Sequence, residues 1–237
     1  MIKYKTGNIF CTTCDCIVNT VNCVGFMGRG IALEMSIRYP DLEKEYKTKC
    51  QNQEIKIGEL WLYCEDHARG QKILNFPTKN DYKYPSKQEY LELGLQYFRD
   101  HYKEYGVNSI AFPLLGANNG KIKPDVALDI MKKYLCDLDD ILIEIYSFSK
   151  NADSKDILME QFKDYLKNNQ NDKNNRILDY ALSAPSNLMF SDIAEAKISE
   201  LQPDGSTKRT SVATKQYLQK IISSIKNFIA NQQSSLL

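Results

Sequence analysis

Ile17-Val18-Asn19-Thr20-Val21-Asn22-Cys23-Val24-Gly25-Phe26-Met27-Gly28-Arg29-Gly30-Ile31-Ala32 is the stretch around which the rest of the chain is arranged. An apolar, β-branched run ends in asparagines, passes three glycines and enters a helical pattern, which reads as strand, glycine-rich loop and helix N-terminus. That order gathers backbone N–H groups around an anion, because the first N–H groups of a helix have no partner within it. The spacing is neither G-x-G-x-x-G nor G-x-x-x-x-G-K-[ST], so the dinucleotide fingerprint and the P-loop do not apply. It points to a diphosphate-and-ribose site of another kind.

Working outward, residues 2–10 read as a short strand closed by Gly7-Asn8, with Ile9 and Phe10 after it. Downstream, 30–39 is helical in pattern until Pro40, and 41–49 begins another helix. Residues 59–64 alternate like a strand, with Leu60, Leu62 and Cys64 on one side and Trp61 and Tyr63 on the other. A strand at 72–76 is expected to end at Pro77. Ser86 followed by Glu89 reads as a capping box for a helix that runs to about Tyr105, before Gly106. An apolar strand at 109–115 opens into Gly116-Ala117-Asn118-Asn119-Gly120, and Pro124 suits the first position of the next helix, where Leu128, Met131 and Leu135 share a face. A strand at 141–148 and a helix at about 154–166 follow. Strands alternating with helices imply an α/β fold, three layers deep in α/β/α order, with a mixed, largely parallel sheet. Ligands in such sheets bind beyond the carboxyl ends of the strands, where the asparagine-glycine segments of this chain fall.

Residues 168–175 are polar throughout and read as a linker between a first domain, 1–167, and a small helical module, 176–237. In that module Tyr217, Leu218, Ile221, Ile222, Ile225, Phe228 and Ile229 form one apolar stripe. From residue 205 onward the charged residues are Lys208, Arg209, Lys215, Lys220 and Lys226, with no acid. This basic face either touches nucleic acid or a protein partner, or is simply a solvated surface.

The chain has 237 residues, 43% of them hydrophobic and 26% charged, with a net charge of +1. These values suit a globular protein with a real core, and they exclude a global field that would recruit nucleic acid or membrane. No signal-peptide pattern and no run long enough to span a membrane is visible, so a cytoplasmic location is expected. Seven cysteines in such a chain argue against a disulfide framework. Cys11-x-x-Cys14 has ligand-like spacing, but no second pair completes it, so buried thiols are expected rather than a metal site. Neither His67 nor His101 has a partner at a useful spacing, and both read as surface residues. Asn19 reads as a structural amide at the strand end.

Three elements together, Gly7-Asn8-Ile9, Asp15-x-Ile17-Val18-Asn19-x-x-Asn22 and Gly25-x-Met27-Gly28-x-Gly30-Ile31-Ala32, resemble the macrodomain family of ADP-ribose-binding modules. Asn75-Phe76-Pro77-Thr78-Lys79 and the strand-loop 109–120 sharpen the match, which covers about residues 1–165. The branch it looks like is that of DarG, the antitoxin macrodomains that remove ADP-ribose from thymidine in DNA. The resemblance implies that Asn8 and Ile9 lie beside the adenine, that Thr20, Val21 and Asn22 approach the distal ribose, and that Thr78 also contacts the ADP-ribose. Gly28, Gly30 and Ile31 would give N–H groups to the diphosphate, and Leu115, Gly116, Ala117, Asn118, Asn119 and Gly120 would close over it. Many relatives carry aspartate where Asn8 stands and more glycine in the second loop. Asparagine tolerates left-handed backbone angles, so that loop can still curl. Lys121 would add charge beside it.

The same resemblance makes Lys79 and Asn22 the expected catalytic pair, without cofactor or metal. Cleavage at the anomeric carbon of the distal ribose develops oxocarbenium character there, and an amine attacks only when neutral, which requires a pKa below the usual ~10.4. Tyr82 and Tyr84, close behind, can stack on a base or simply pack their loop. Three functions remain open on these residues. The first is an ADP-ribosyl glycohydrolase acting on ADP-ribosylated single-stranded DNA, as the antitoxin of a cognate ADP-ribosyltransferase toxin. The second is a reader that binds ADP-ribose without turnover. The third is a hydrolase of ADP-ribosylated protein or small ADP-ribose esters.

Overall fold

The computed structural model describes residues 1–65, 71–150, 152, 155–201 and 207–234. Ten elements build the first layer set: β1 (Ile2–Thr6), β2 (Cys16–Asn22), α1 (Gly30–Arg38), α2 (Pro40–Gln51), β3 (Trp61–Cys64), β4 (Lys72–Lys79), α3 (Gln88–His101), β5 (Ser109–Pro113), α4 (Pro124–Leu135) and β6 (Leu142–Ser147). Their strands form one sheet in the order β1-β6-β5-β2-β4-β3, parallel except for the antiparallel edge pair β3–β4. The mixed, largely parallel α/β/α fold is therefore present.

The period-two pattern of the strands sorts the core into two faces. Val18, Leu74, Phe76, Ile110, Phe112 and Ile143 pack under Leu91, Leu95 and Phe98 of α3 and Met131 and Leu135 of α4. Ile17, Val21, Ile73 and Ala111 pack against Met35 of α1 and Leu42 and Tyr46 of α2. In β3, Leu62 joins the first face while Trp61 and Tyr63 join the second, as their alternation implies.

Two local expectations fail for physical reasons. Pro77 does not end its strand, because β4 runs on to Lys79. The antiparallel partner β3 pairs only as far as Asn75, so Pro77 sits where β4 has a strand on one side alone and a missing N–H costs little. The capping box at Ser86 is not formed: Lys87 is the N-cap of α3 and gives no side-chain cap bond. Ser86 is instead buried, with its N–H donating to the Gly120 carbonyl at 3.0 Å.

Beyond the sheet come α5 (Ile157–Asn168), α6 (Asp172–Ser183), α7 (Phe190–Glu195), β7 (Lys197–Leu201), β8 (Thr207–Ser211) and α8 (Lys215–Ser234). Residues 168–175 hold the end of α5 and the first turn of α6, whose N-cap Asn171 accepts from the Asn174 N–H at 3.0 Å. The helical character expected for 176–237 is interrupted by the antiparallel ribbon β7–β8. Its helices share a core with Leu33 and Ile37 of α1 and with Met159, Phe162 and Leu166 of α5. The α8 stripe lies in that core except for Phe228, which is 63% exposed. Two of the basic residues are used internally: Lys215 pairs with Glu43 at 2.6 Å, and Lys226 pairs with Glu65 and donates to the Arg38 carbonyl at 2.9 Å. No helix among the described residues is long and apolar enough to cross a membrane. His67 lies outside the described residues; His101 is half-buried, stacked on Tyr97.

Candidate active site

The carboxyl ends of the central strands open into a cleft of about 810 Å³. Its geometry begins with a register shift between Val21 and Asn22, which sets Asn22 opposite Lys79 across the β2–β4 pair. The two expected catalytic side chains thus leave neighbouring strand ends. Thr20 and Val21 from β2 and Thr78 from β4 line the cleft beside them. Below, Asn19 donates to the Asn75 side chain at 2.9 Å and ties the two strands together.

Asn22 is almost wholly engaged by its own loop. Its Oδ1 accepts from the Val24 N–H at 3.0 Å and the Phe26 N–H at 3.3 Å, and its Nδ2 donates to the Phe26 carbonyl at 2.6 Å. The Tyr46 hydroxyl donates to both the carbonyl and the Oδ1 of Asn22, at 2.5 and 3.1 Å. Burial pushes that hydroxyl far above its ordinary pKa, so it remains a donor. The amide therefore shapes the loop that carries Gly28, Gly30 and Ile31 into the cleft wall.

That loop delivers the N-terminus of α1, whose N-cap Arg29 forms no side-chain cap. The open N–H groups and the positive end of the helix dipole there suit an anion. Opposite stands the second loop, where Gly116 (φ +67°), Asn118 (φ +54°) and Lys121 (φ +65°) adopt left-handed angles. Asn118 thus takes an angle that favours glycine, which asparagine tolerates better than most residues. The two loops come close: a Cβ added at Gly30 would lie 2.8 Å from the Asn119 amide nitrogen. Gly116, Ala117, Asn118, Asn119 and Gly120 all line the cleft. Leu115 does not; it is fully buried in the core under α3 and α4, and Leu114 takes the lining position.

Lys79 reaches between the loops. Its Nζ donates to the Asn119 carbonyl at 2.7 Å. Partial burial, with Lys121 nearby, draws its pKa below the ordinary lysine value. At this end of the cleft Phe26 and Tyr82 lie 4.5 Å apart between ring centroids, half exposed, with Tyr84 more exposed beyond them.

At the other end, Ile9 and Asn8 line the cleft, but the Asn8 side chain is turned inward. It is 1% exposed; its Oδ1 accepts from the Phe10 N–H at 3.0 Å, and its Nδ2 faces an Asp156 oxygen at 3.5 Å. Asp156 pairs with Arg38, whose Nε donates to Glu34 at 2.7 Å. Burial opposes charge on Arg38, but the two carboxylates outweigh it and hold the guanidinium firmly protonated.

Every expected site residue except Leu115 meets in one cleft. Sequence reading missed Phe26, Arg29 and Phe148, and also Met189, Ser191, Asp192 and Glu195, which line it from α7 and the residue before it. The aromatic residues sit next to motifs and were within reach; nothing in the local sequence of 189–195 announces a site.

A family model described as "Macro domain" matches residues 18–131. A curated relative, the "DNA ADP-ribosyl glycohydrolase" of Mycobacterium tuberculosis, is 40% identical over 121 residues, which is 51% of this chain and 34% of the relative. The chain thus spans about a third of that relative's length. Among solved structures, the macrodomain of Mycobacterium tuberculosis DarG is 35% identical, with a TM-score of 0.60 over 63% of this chain and 99% of that one. Thermosipho africanus DarTG, solved in complex with ADP-ribose, is 27% identical with a TM-score of 0.58, over 65% of this chain and 43% of its own.

Proposed function

This chain belongs to the macrodomain family, and we propose that it is a glycohydrolase that binds ADP-ribose and releases it from thymidine in single-stranded DNA. The diphosphate lies between the α1 N-terminus and the second loop, and the distal ribose reaches the ends of β2 and β4. The observation that carries the reading is Lys79: a cation-adjacent, partly desolvated amine bonded to the Asn119 carbonyl at the point where two diphosphate loops meet. As the bond from the anomeric carbon to the base breaks, positive charge develops on the ribose. An amine with a lowered pKa has a larger neutral fraction to meet that carbon. Phe26, Tyr82 and Tyr84 offer ring faces to bases beside the modified one. In the cytoplasm such an activity would serve as the antitoxin to a DNA ADP-ribosyltransferase.

One observation favours a second reading. The bond from Lys79 to Asn119 also suits a lysine that merely closes the loop of a non-catalytic reader. The two separate when ADP-ribosylated single-stranded DNA and ADP-ribosylated protein are offered side by side to the wild type and to Lys79→Ala. Release from DNA by the wild type, lost in the variant while ADP-ribose still binds, is the expected result. Binding without release from either substrate would leave a reader, and release from protein alone would move the substrate.

A further inference from the structure

The floor of the cleft belongs to the sheet, but one wall comes from the far end of the chain. Ser191, Asp192 and Glu195 of α7 line it at the end occupied by Asn8, Ile9 and Phe148. Buried charge fixes this wall. Glu34 on α1 accepts from the N–H groups of Phe190 at 3.2 Å and Ser191 at 2.7 Å, and Arg38 bonds both Glu34 and the Asp156 that faces Asn8. The Arg38 guanidinium also lies 4.9 Å from the Phe190 ring centre and 4.1 Å from that of Phe10. The first turn of α7 is thereby held to the helix that carries the diphosphate loop.

Within the wall, Asp192 is already occupied, accepting from the Met189 N–H at 3.0 Å and from Lys150 at 3.1 Å. Two polar groups are left over. The Ser191 hydroxyl, in a residue 8% exposed, and the Glu195 carboxylate, in an exposed one, have no hydrogen-bond partner among the described residues.

We propose that α7 forms the wall of an adenosine subsite, in which Glu195 accepts a hydrogen bond from adenosine and the Ser191 hydroxyl adds a second contact. The inference rests on the reading of the cleft as an ADP-ribose site. A carboxylate only accepts. Adenosine presents matching donors, its exocyclic amine and its ribose hydroxyls, whereas a purine with a carbonyl in place of the amine sets acceptor against acceptor. The C-terminal helices then take part in ligand selection.

The test is calorimetry on the full chain with ADP-ribose and with its hypoxanthine analogue, for the wild type, Glu195→Ala and Ser191→Ala. Glu195→Ala is expected to weaken ADP-ribose binding about tenfold or more, and Ser191→Ala by about three- to tenfold. If the amine is the donor, the wild type prefers ADP-ribose over the analogue and Glu195→Ala loses that preference; equal losses for both ligands assign the bond to the ribose hydroxyls. Unchanged ADP-ribose affinity in both variants overturns the inference. A wild type that binds neither ligand instead overturns the ADP-ribose reading beneath it.

Discussion

Two asparagines that resemblance assigns to the ligand are also spoken for by the protein itself. Asn22 satisfies two N–H groups, a carbonyl and a tyrosine hydroxyl around the first loop. Asn22→Ala leaves the part-buried Val24 and Phe26 groups unpaired, while Tyr46 keeps its bond to the backbone carbonyl of residue 22, so we expect a stability loss of about 1–2 kcal/mol. ADP-ribose affinity should fall with it; denaturant melts and calorimetry read the two effects, and unchanged binding would remove Asn22 from the site. Asn8 tells a complementary story. Its amide faces Asp156 at 3.5 Å, so an aspartate at this position would set two carboxylates against each other. Asn8→Asp is expected to cost about 1–3 kcal/mol at neutral pH. Because the cost needs the introduced carboxyl ionised, the gap from wild type should narrow as the pH falls towards about 4. Equal melting points at pH 7 would count against this account of the residue.

At the scale of elements, the loops were the legible part. A glycine-rich turn between an apolar strand and a helix is a local signal, and its meaning does not depend on distant contacts. Pro77 and Ser86 misled for the opposite reason: whether a proline ends a strand depends on which neighbour strand is present, and whether a serine caps a helix depends on what else holds it. Here β3 stops at Asn75 and Gly120 holds Ser86. Gly30 tests the loop geometry directly. It adopts φ +56°, and a Cβ there would meet the far end of the Asn119 side chain at 2.8 Å. An amide end can swing away, so Gly30→Ala should cost only the left-handed strain, about 1–2 kcal/mol. The swing opens the gap between the loops, however, and ADP-ribose affinity is expected to drop about tenfold. A variant that melts several degrees lower yet binds ADP-ribose as before would show that the loops do not need their present spacing.

At the scale of the whole molecule, the C-terminal helices are bonded to the sheet domain through pairs that no sequence pattern announces. Glu34 and Ser191 meet across a separation of 157 residues, and Gln219 donates to the Ser36 carbonyl across 183. Periodicity identified the apolar stripe of α8 but not the surface it covers. The basic residues read equally as an interaction face or a solvated surface, and neither reading anticipates that Lys215 and Lys226 pair with acids of the first domain. This docking should depend on pH through Glu43, which is 9% exposed and bridges Lys47 on its own helix and Lys215 on α8. The pairing is unequal. Burial outweighs the ion pair at Lys215 and draws its amine below the ordinary value, whereas at Glu43 burial is outweighed by the two lysines and the carboxyl is held below its usual range. A carboxylate with a depressed folded pKa contributes stability that is fully present above its unfolded pKa, about 4.3, and lost as pH falls through the folded value. Hydrogen exchange of the α8 amides should therefore accelerate below about pH 4 before that of α3, which lies on the opposite face of the sheet. Glu43→Gln removes the titrating group: α8 should exchange faster than in the wild type at pH 7, with a smaller further change on acidification. If α8 and α3 lose protection together in both proteins, Glu43 does not govern the docking, and the helices and the sheet unfold as one unit.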